Sequence, residues 1–286
     1  MVAAIVSVAL LGAVLWRLHA AGWERSVALL HNGPLFWTAL LLFYFALPIG
    51  EWLIYRRLWR LPAAGFAPLL RKRVSNEILF GYSGELYFYL WARARPELTQ
   101  APFGALKDVN VTSALSAAAL TLVLLAVAAP WLAALDLGRL AQPLLWSAIV
   151  LAVVSLGVVA FGRRVFTLPR RDLVAITAVH LLRLLATTVL LALVWHLALP
   201  AVALSTWLLL STGRLLIGRL PLIPNTDLVF ATLTGVLVGP YNIIGDLLAA
   251  TTLLVLCMHV AVIGGLVLID IVRGQADVHD TQGGRS

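Results

Sequence analysis

Apolar residues run along this chain in long uninterrupted stretches rather than in alternation, and the stretches set its architecture. A bilayer core of about 30 Å needs about 20 apolar residues in a helix. Six runs meet or approach that length, at roughly 1–20, 34–55, 110–132, 143–162, 173–198 and 244–269. The first has no basic leader and no small-residue cleavage pattern ahead of the next run. Met1–Trp16 therefore reads as a retained transmembrane helix and not as a signal peptide. Three shorter apolar pieces, 74–91, 201–218 and 226–241, are interrupted by glycine, proline or charge. The pattern predicts an all-α, polytopic integral membrane bundle of about six transmembrane helices plus two re-entrant or broken hairpins. It fills one domain over 1–272, followed by a short polar tail at 273–286.

Charge orients the bundle. Arg56, Arg57, Arg60, Arg71, Lys72, Arg73, Arg93, Arg95 and Lys107 cluster around the first broken piece. Arg163, Arg164, Arg170 and Arg171 follow the fourth run, and Arg273 and Arg285 lie in the tail. These fifteen of the 21 Lys and Arg residues fall on one side, against Arg17, Arg25 and Arg139 on the other. By the positive-inside rule both termini face the cytoplasm. The same parity makes 74–91 enter the membrane and turn back, and makes 201–218 with 226–241 a second hairpin from the opposite face. Irregular backbone at membrane depth is tolerated only where it is buried in protein or lines a cavity, so two opposed hairpins suit a path through the membrane.

Composition narrows the function classes. Only 12% of residues are charged, against about 25% in soluble domains, and no polar stretch is long enough for a separate aqueous domain. The net charge of +8 flanks apolar spans, so its counter-charge is anionic lipid head groups and nucleic acid is not an expected partner. The single cysteine, Cys257, excludes an internal disulfide and reads as a small buried hydrophobe. No metalloprotease, Walker or aspartate-rich phosphotransferase motif is present, and no catalytic, metal or cofactor site is assigned.

Three constellations carry the remaining chemistry. The first is Ser75, Asn76, Glu77, Gly81, Tyr82, Ser83, Gly84, Glu85 and Tyr87. Glycines three apart permit a sharp turn or a close helix approach, and two carboxylates in an apolar piece must be paired or wetted. Such a segment is either a re-entrant element lining a polar cavity or an amphipathic helix whose acids face water. The second is Arg214, Arg219, Pro221, Pro224, Asn225, Thr226 and Asp227. The prolines break the helix, and Asn225-Thr226-Asp227 can cap a new one. Its free N–H groups beside two arginines suit a lipid phosphate, while an external loop with Asp227 paired to Arg219 is the plainer alternative. The third is the stripe Thr177, His180, Arg183 and Thr187 on the fifth run, expected to face the bundle interior. There Arg183 needs a carboxylate such as Glu85, Glu77 or Asp227. Glu51 and Asp246 lie near helix ends and read as snorkelling or capping groups, and His196 and His259 as packed or interfacial.

Gly84-Glu85-Leu86 after the basic Arg71-Lys72-Arg73, and Leu220-Pro221-Leu222-Ile223-Pro224 before the last run, give a recognisable order. It resembles the flippase-like, lysylphosphatidylglycerol-synthase transmembrane-region family, in a member without the soluble synthase domain. Tyr82, Phe88, Asn225, Thr226 and Ala231 depart from the family pattern. The resemblance implies translocation of an anionic lipid or lipid-linked amphiphile across a bacterial inner membrane. Glu77, Glu85, His180, Arg183, Arg214, Arg219, Asn225 and Asp227 are then the candidate substrate contacts. An intramembrane transferase of envelope lipid or glycolipid synthesis, or a non-catalytic subunit serving an envelope-biosynthesis partner enzyme, are the alternatives.

Overall fold

Pro34 opens the first described helix, α1 (Pro34–Trp59), because proline lacks only an N–H that a first helical turn leaves unpaired. The computed structural model describes residues 33–78, 82–99, 101–134, 141–217 and 242–283. At 1.5 Å per residue the 26 residues of α1 reach about 39 Å, and the helix stops where Arg60 turns left-handed at φ 53°. A short 3-10 turn, Ala63–Gly65, leads into α2 (Phe66–Ile78). Next come α3 (Ser83–Arg93), α4 (Pro102–Ala134) and α5 (Ala141–Ala160). A single-turn α6 (Gly162–Val165) precedes α7 (Arg170–Ala198), α8 (Leu204–Ile217) and α9 (Asn242–Gly283). No strand occurs among the described residues.

Four of these helices are long and apolar enough to cross a membrane, over Pro34–Trp59, Pro102–Val127, Arg170–Ala198 and Ile243–Leu266. They coincide with the predicted runs at 34–55, 110–132, 173–198 and 244–269, although α4 starts earlier, at Pro102. The run at 143–162 is helical as α5, and its described apolar part, Leu145–Ala160, is shorter than the four. The piece 201–218 is the 14-residue α8, about 21 Å long and too short to span alone. The runs at 1–20 and 226–241 lie outside the described residues. Outward faces are apolar, with Leu35, Leu42, Val153, Leu156, Val174 and Leu182 all more than half exposed. A water-soluble monomer rarely leaves such surface uncovered, whereas lipid is a good solvent for it. Cys257 belongs to this outward surface and is exposed, not buried as expected from its apolar neighbours.

α7 packs against α1, α4, α8 and α9 and runs antiparallel to α1. Phe36 and Leu40 at the start of α1 therefore meet Leu191 and Trp195 at the end of α7, with Trp207 of α8 and Leu247 of α9 closing one apolar core. At the other end Ile54, Tyr55 and Trp59 meet Ile176 of α7, Leu69 of α2, Phe88 of α3 and Val109 of α4 in a second core. The two cores leave the middle of the α1–α7 pair between them, and the polar residues collect there. A third device ties the loop before α7 to α4. Asp108 Oδ2 accepts from the Thr167 and Leu168 N–H groups at 2.7 Å each and from the Thr167 hydroxyl at 2.9 Å. Its Oδ1 lies 2.9 Å from Lys107 Nζ. With three donors on one oxygen and a cation on the other, the buried Asp108 is a structural clasp.

Candidate functional site

The site begins with a missing hydrogen-bond donor. Pro48 inside α1 has no N–H for the carbonyl four residues back, which is that of Tyr44. Arg73 of α2 donates its Nη1 to the Tyr44 carbonyl, and its guanidinium lies 4.3 Å from the centre of the Tyr44 ring. The Tyr44 hydroxyl is in turn 2.9 Å from His259 Nδ1 on α9. One proline thus draws a guanidinium into the bundle and links α1, α2 and α9. Tyr44 stands fifteen residues before the end of α1, about 22 Å inside it.

Two residues beyond the proline, Gly50 lets another arginine pass. A Cβ at Gly50 would sit 3.0 Å from Cδ of Arg183, so the bare backbone is the seat of the Arg183 stem. The Arg183 head donates to Ser113 Oγ of α4 at 3.3 Å. Glu51, next in sequence, faces α2, where its Oε1 accepts from Lys72 Nζ at 2.6 Å. Glu85 Oε1 of α3 lies 3.5 Å from the same nitrogen, and the Phe88 ring centre is 5.9 Å away. The Lys72 side chain is only 2% exposed.

Close contact between α2 and α3 makes this triad possible. A Cβ on Gly84 would fall 2.0 Å from the Lys72 carbonyl oxygen, so only glycine allows the approach that the glycine spacing suggested. The Gly84 N–H donates to Asn76 Oδ1 at 2.7 Å and the Ser83 hydroxyl to the Ser75 carbonyl at 2.7 Å, pinning the start of α3 to the end of α2. Glu85 is brought under Lys72 as a result. Among the described residues its second oxygen, Oε2, has no hydrogen-bond partner although buried, and the same holds for the Tyr55 hydroxyl.

The predicted residues divide accordingly. Glu85, Arg183 and His180 enter this middle layer, His180 buried on α7 one turn from Arg183. Glu77 is exposed at the end of α2, at the rim of the layer, one helical turn beyond Arg73 and close enough for its charge to act on it. Arg214 is exposed in the last turn of α8. Arg219, Asn225 and Asp227 lie outside the described residues. Glu51 is corrected from a snorkelling end group to the nearest partner of Lys72. Lys72, Arg73, Tyr44 and Ser113 were not singled out in the sequence. The available signal was Pro48 in an apolar run, whose orphaned carbonyl must find a donor, and three consecutive cations that cannot all face water on one helix. His196 packs, with Nδ1 3.0 Å from the Val202 carbonyl. No family model, curated protein or solved structure matches the chain.

Proposed function

We propose that this protein is a membrane-embedded translocator of an anionic lipid or lipid-linked amphiphile, whose polar path is the charged layer between α1, α2, α3 and α7. The observation that carries the reading is Lys72, a buried cation held by Glu85 of α3 and by Glu51, about 12 Å inside the end of the membrane-length α1. Charges at that depth are expensive, and where they are kept they mark substrate or ion pathways. The unused oxygen of Glu85 and the Arg183 head give the layer both an acceptor and a donor for a moving head group. Beside it, a cavity of about 520 Å³ runs between α4, α5 and α7, lined by Thr112, Ser116, Ala152, Ser155, Thr177 and Leu181 among others. Ser116, Ser155 and Thr177 donate to carbonyls of their own helices, so the cavity offers a mainly apolar wall suited to a hydrocarbon chain. In this reading the α2–α3 pair is the re-entrant hairpin and both termini face the cytoplasm. In the same reading the protein sits in a bacterial inner membrane, the compartment that the resemblance noted in its sequence implies.

Reconstituted vesicles test it. Wild-type protein should move fluorescent phosphatidylglycerol between leaflets, and Glu85→Gln, which keeps size and removes charge, should abolish most of that movement in protein that thermal unfolding shows to be still folded, Glu51 remaining on Lys72. Vesicles in which wild type moves no lipid, or in which Glu85→Gln moves it as fast as wild type, overturn the proposal.

A further inference from the structure

A second polar site lies at the end of α1, apart from the charged layer. A cavity of about 490 Å³ is lined by Trp52, Arg56, Arg60, Leu61, Pro62 and Ala63. Its walls are built rather than incidental. The Trp52 indole N–H donates to the Pro62 carbonyl at 3.3 Å, locking the ring into the wall, and the Arg56 guanidinium sits 5.0 Å from its centre. Arg60 takes a left-handed backbone, φ 53°, that few non-glycine residues adopt, and this turn folds the chain back over the cavity. The next arginine, Arg57, is committed elsewhere, 3.0 Å from Asp172 of α7. Arg56 and Arg60 are exposed, and among the described residues neither has a carboxylate within ion-pair distance.

We infer that this cavity binds the phosphate of an anionic phospholipid head group. Two guanidiniums without counter-charge on one concave wall match a phosphate, which arginine grips through a planar fork of donors. The partial negative charge at a helix C-terminus opposes an anion, but it amounts to about half a unit against two full positive charges. The source is a lipid because the rest of the wall is apolar and because of its depth. α1 is about 39 Å long, longer than a hydrocarbon core of about 30 Å. Its last turns therefore reach head-group level, where a tryptophan is at home. The inference rests on the chain lying in a membrane and not on its moving lipid.

Equilibrium binding to the purified full chain in detergent, read by native mass spectrometry, tests it. Phosphatidylglycerol should bind wild type and Arg57→Gln more tightly than phosphatidylcholine does. Arg56→Gln/Arg60→Gln should lose about ten- to a hundredfold in phosphatidylglycerol affinity, and Arg56→Lys/Arg60→Lys should recover part of it. Both side chains are exposed, so the double variant should melt as wild type does. A double variant that keeps wild-type phosphatidylglycerol affinity overturns the site. Inorganic phosphate binding as tightly as phosphatidylglycerol overturns the lipid as its ligand. Neither result bears on translocation through the charged layer, which is read separately in vesicles.

Discussion

At the scale of single residues, the middle layer is governed by a few atoms that cannot be exchanged. Lys72 is the clearest. Removing one member of a buried ion pair costs about 3–5 kcal/mol because the remaining charge is left without a partner. Lys72→Met should therefore lower stability by about that amount, and Lys72→Met/Glu51→Gln should restore part of it; thermal unfolding in a defined detergent measures both. If the double variant is no more stable than Lys72→Met, Glu51 is not the partner that matters. Glu85 was legible in the sequence as a carboxylate in an apolar piece that had to find a partner. Glu51 was misread because nearness to a helix end resembles snorkelling, and only the chain folding back through residues 60–71 brings a lysine to it.

At the scale of elements, the α2–α3 pair shows how much local chemistry can announce. Glycine spacing and flanking charge pointed to a turn-back hairpin, and two short helices packed on each other, α2 and α3, are found. Gly84→Ala would place a Cβ 2.0 Å from the Lys72 carbonyl, a backbone atom that cannot step aside, so the helices must part. The cost should be at least the roughly 1–3 kcal/mol of an overpacked core, with Glu85 drawn away from Lys72; thermal unfolding in detergent measures it. Pro48 inside α1 is a second case. The proline was visible, yet the donor that answers it comes from another helix and no spacing rule names it. Arg73→Ala should destabilise the protein by about 1.5–3 kcal/mol, the range for a charge-assisted hydrogen bond. In a Pro48→Ala background the Tyr44 carbonyl recovers its own helical donor, and the same substitution should cost much less. A double-mutant cycle measures the coupling, and strict additivity would separate Arg73 from the proline.

At the scale of the whole molecule, the spans with the strongest hydrophobic pattern were readable as helices, while the arrangement between them was not. Apolar runs report how long a helix is and that its surface suits lipid. They carry little about which face meets which neighbour, since all faces are apolar, and the middle layer arises from antiparallel packing of α1 on α7. That packing fixes a testable geometry. Gly33, before α1, and Ala201, after α7, lie at the end of the bundle closed by Phe36, Trp195 and Trp207. Arg60, after α1, and Arg164, before α7, lie at the end that holds Trp59 and Ile176. All four positions are exposed. With Cys257 replaced by serine, single cysteines at these positions should fall into two pairs toward a membrane-impermeant maleimide in intact cells. Gly33→Cys and Ala201→Cys should react directly, and Arg60→Cys and Arg164→Cys only after permeabilisation, if the basic end faces the cytoplasm as proposed. Reaction of Arg60→Cys and Ala201→Cys from the same side would break the antiparallel pairing of α1 and α7 across a membrane. Both pairs reacting with reversed sidedness would keep the pairing and invert the orientation.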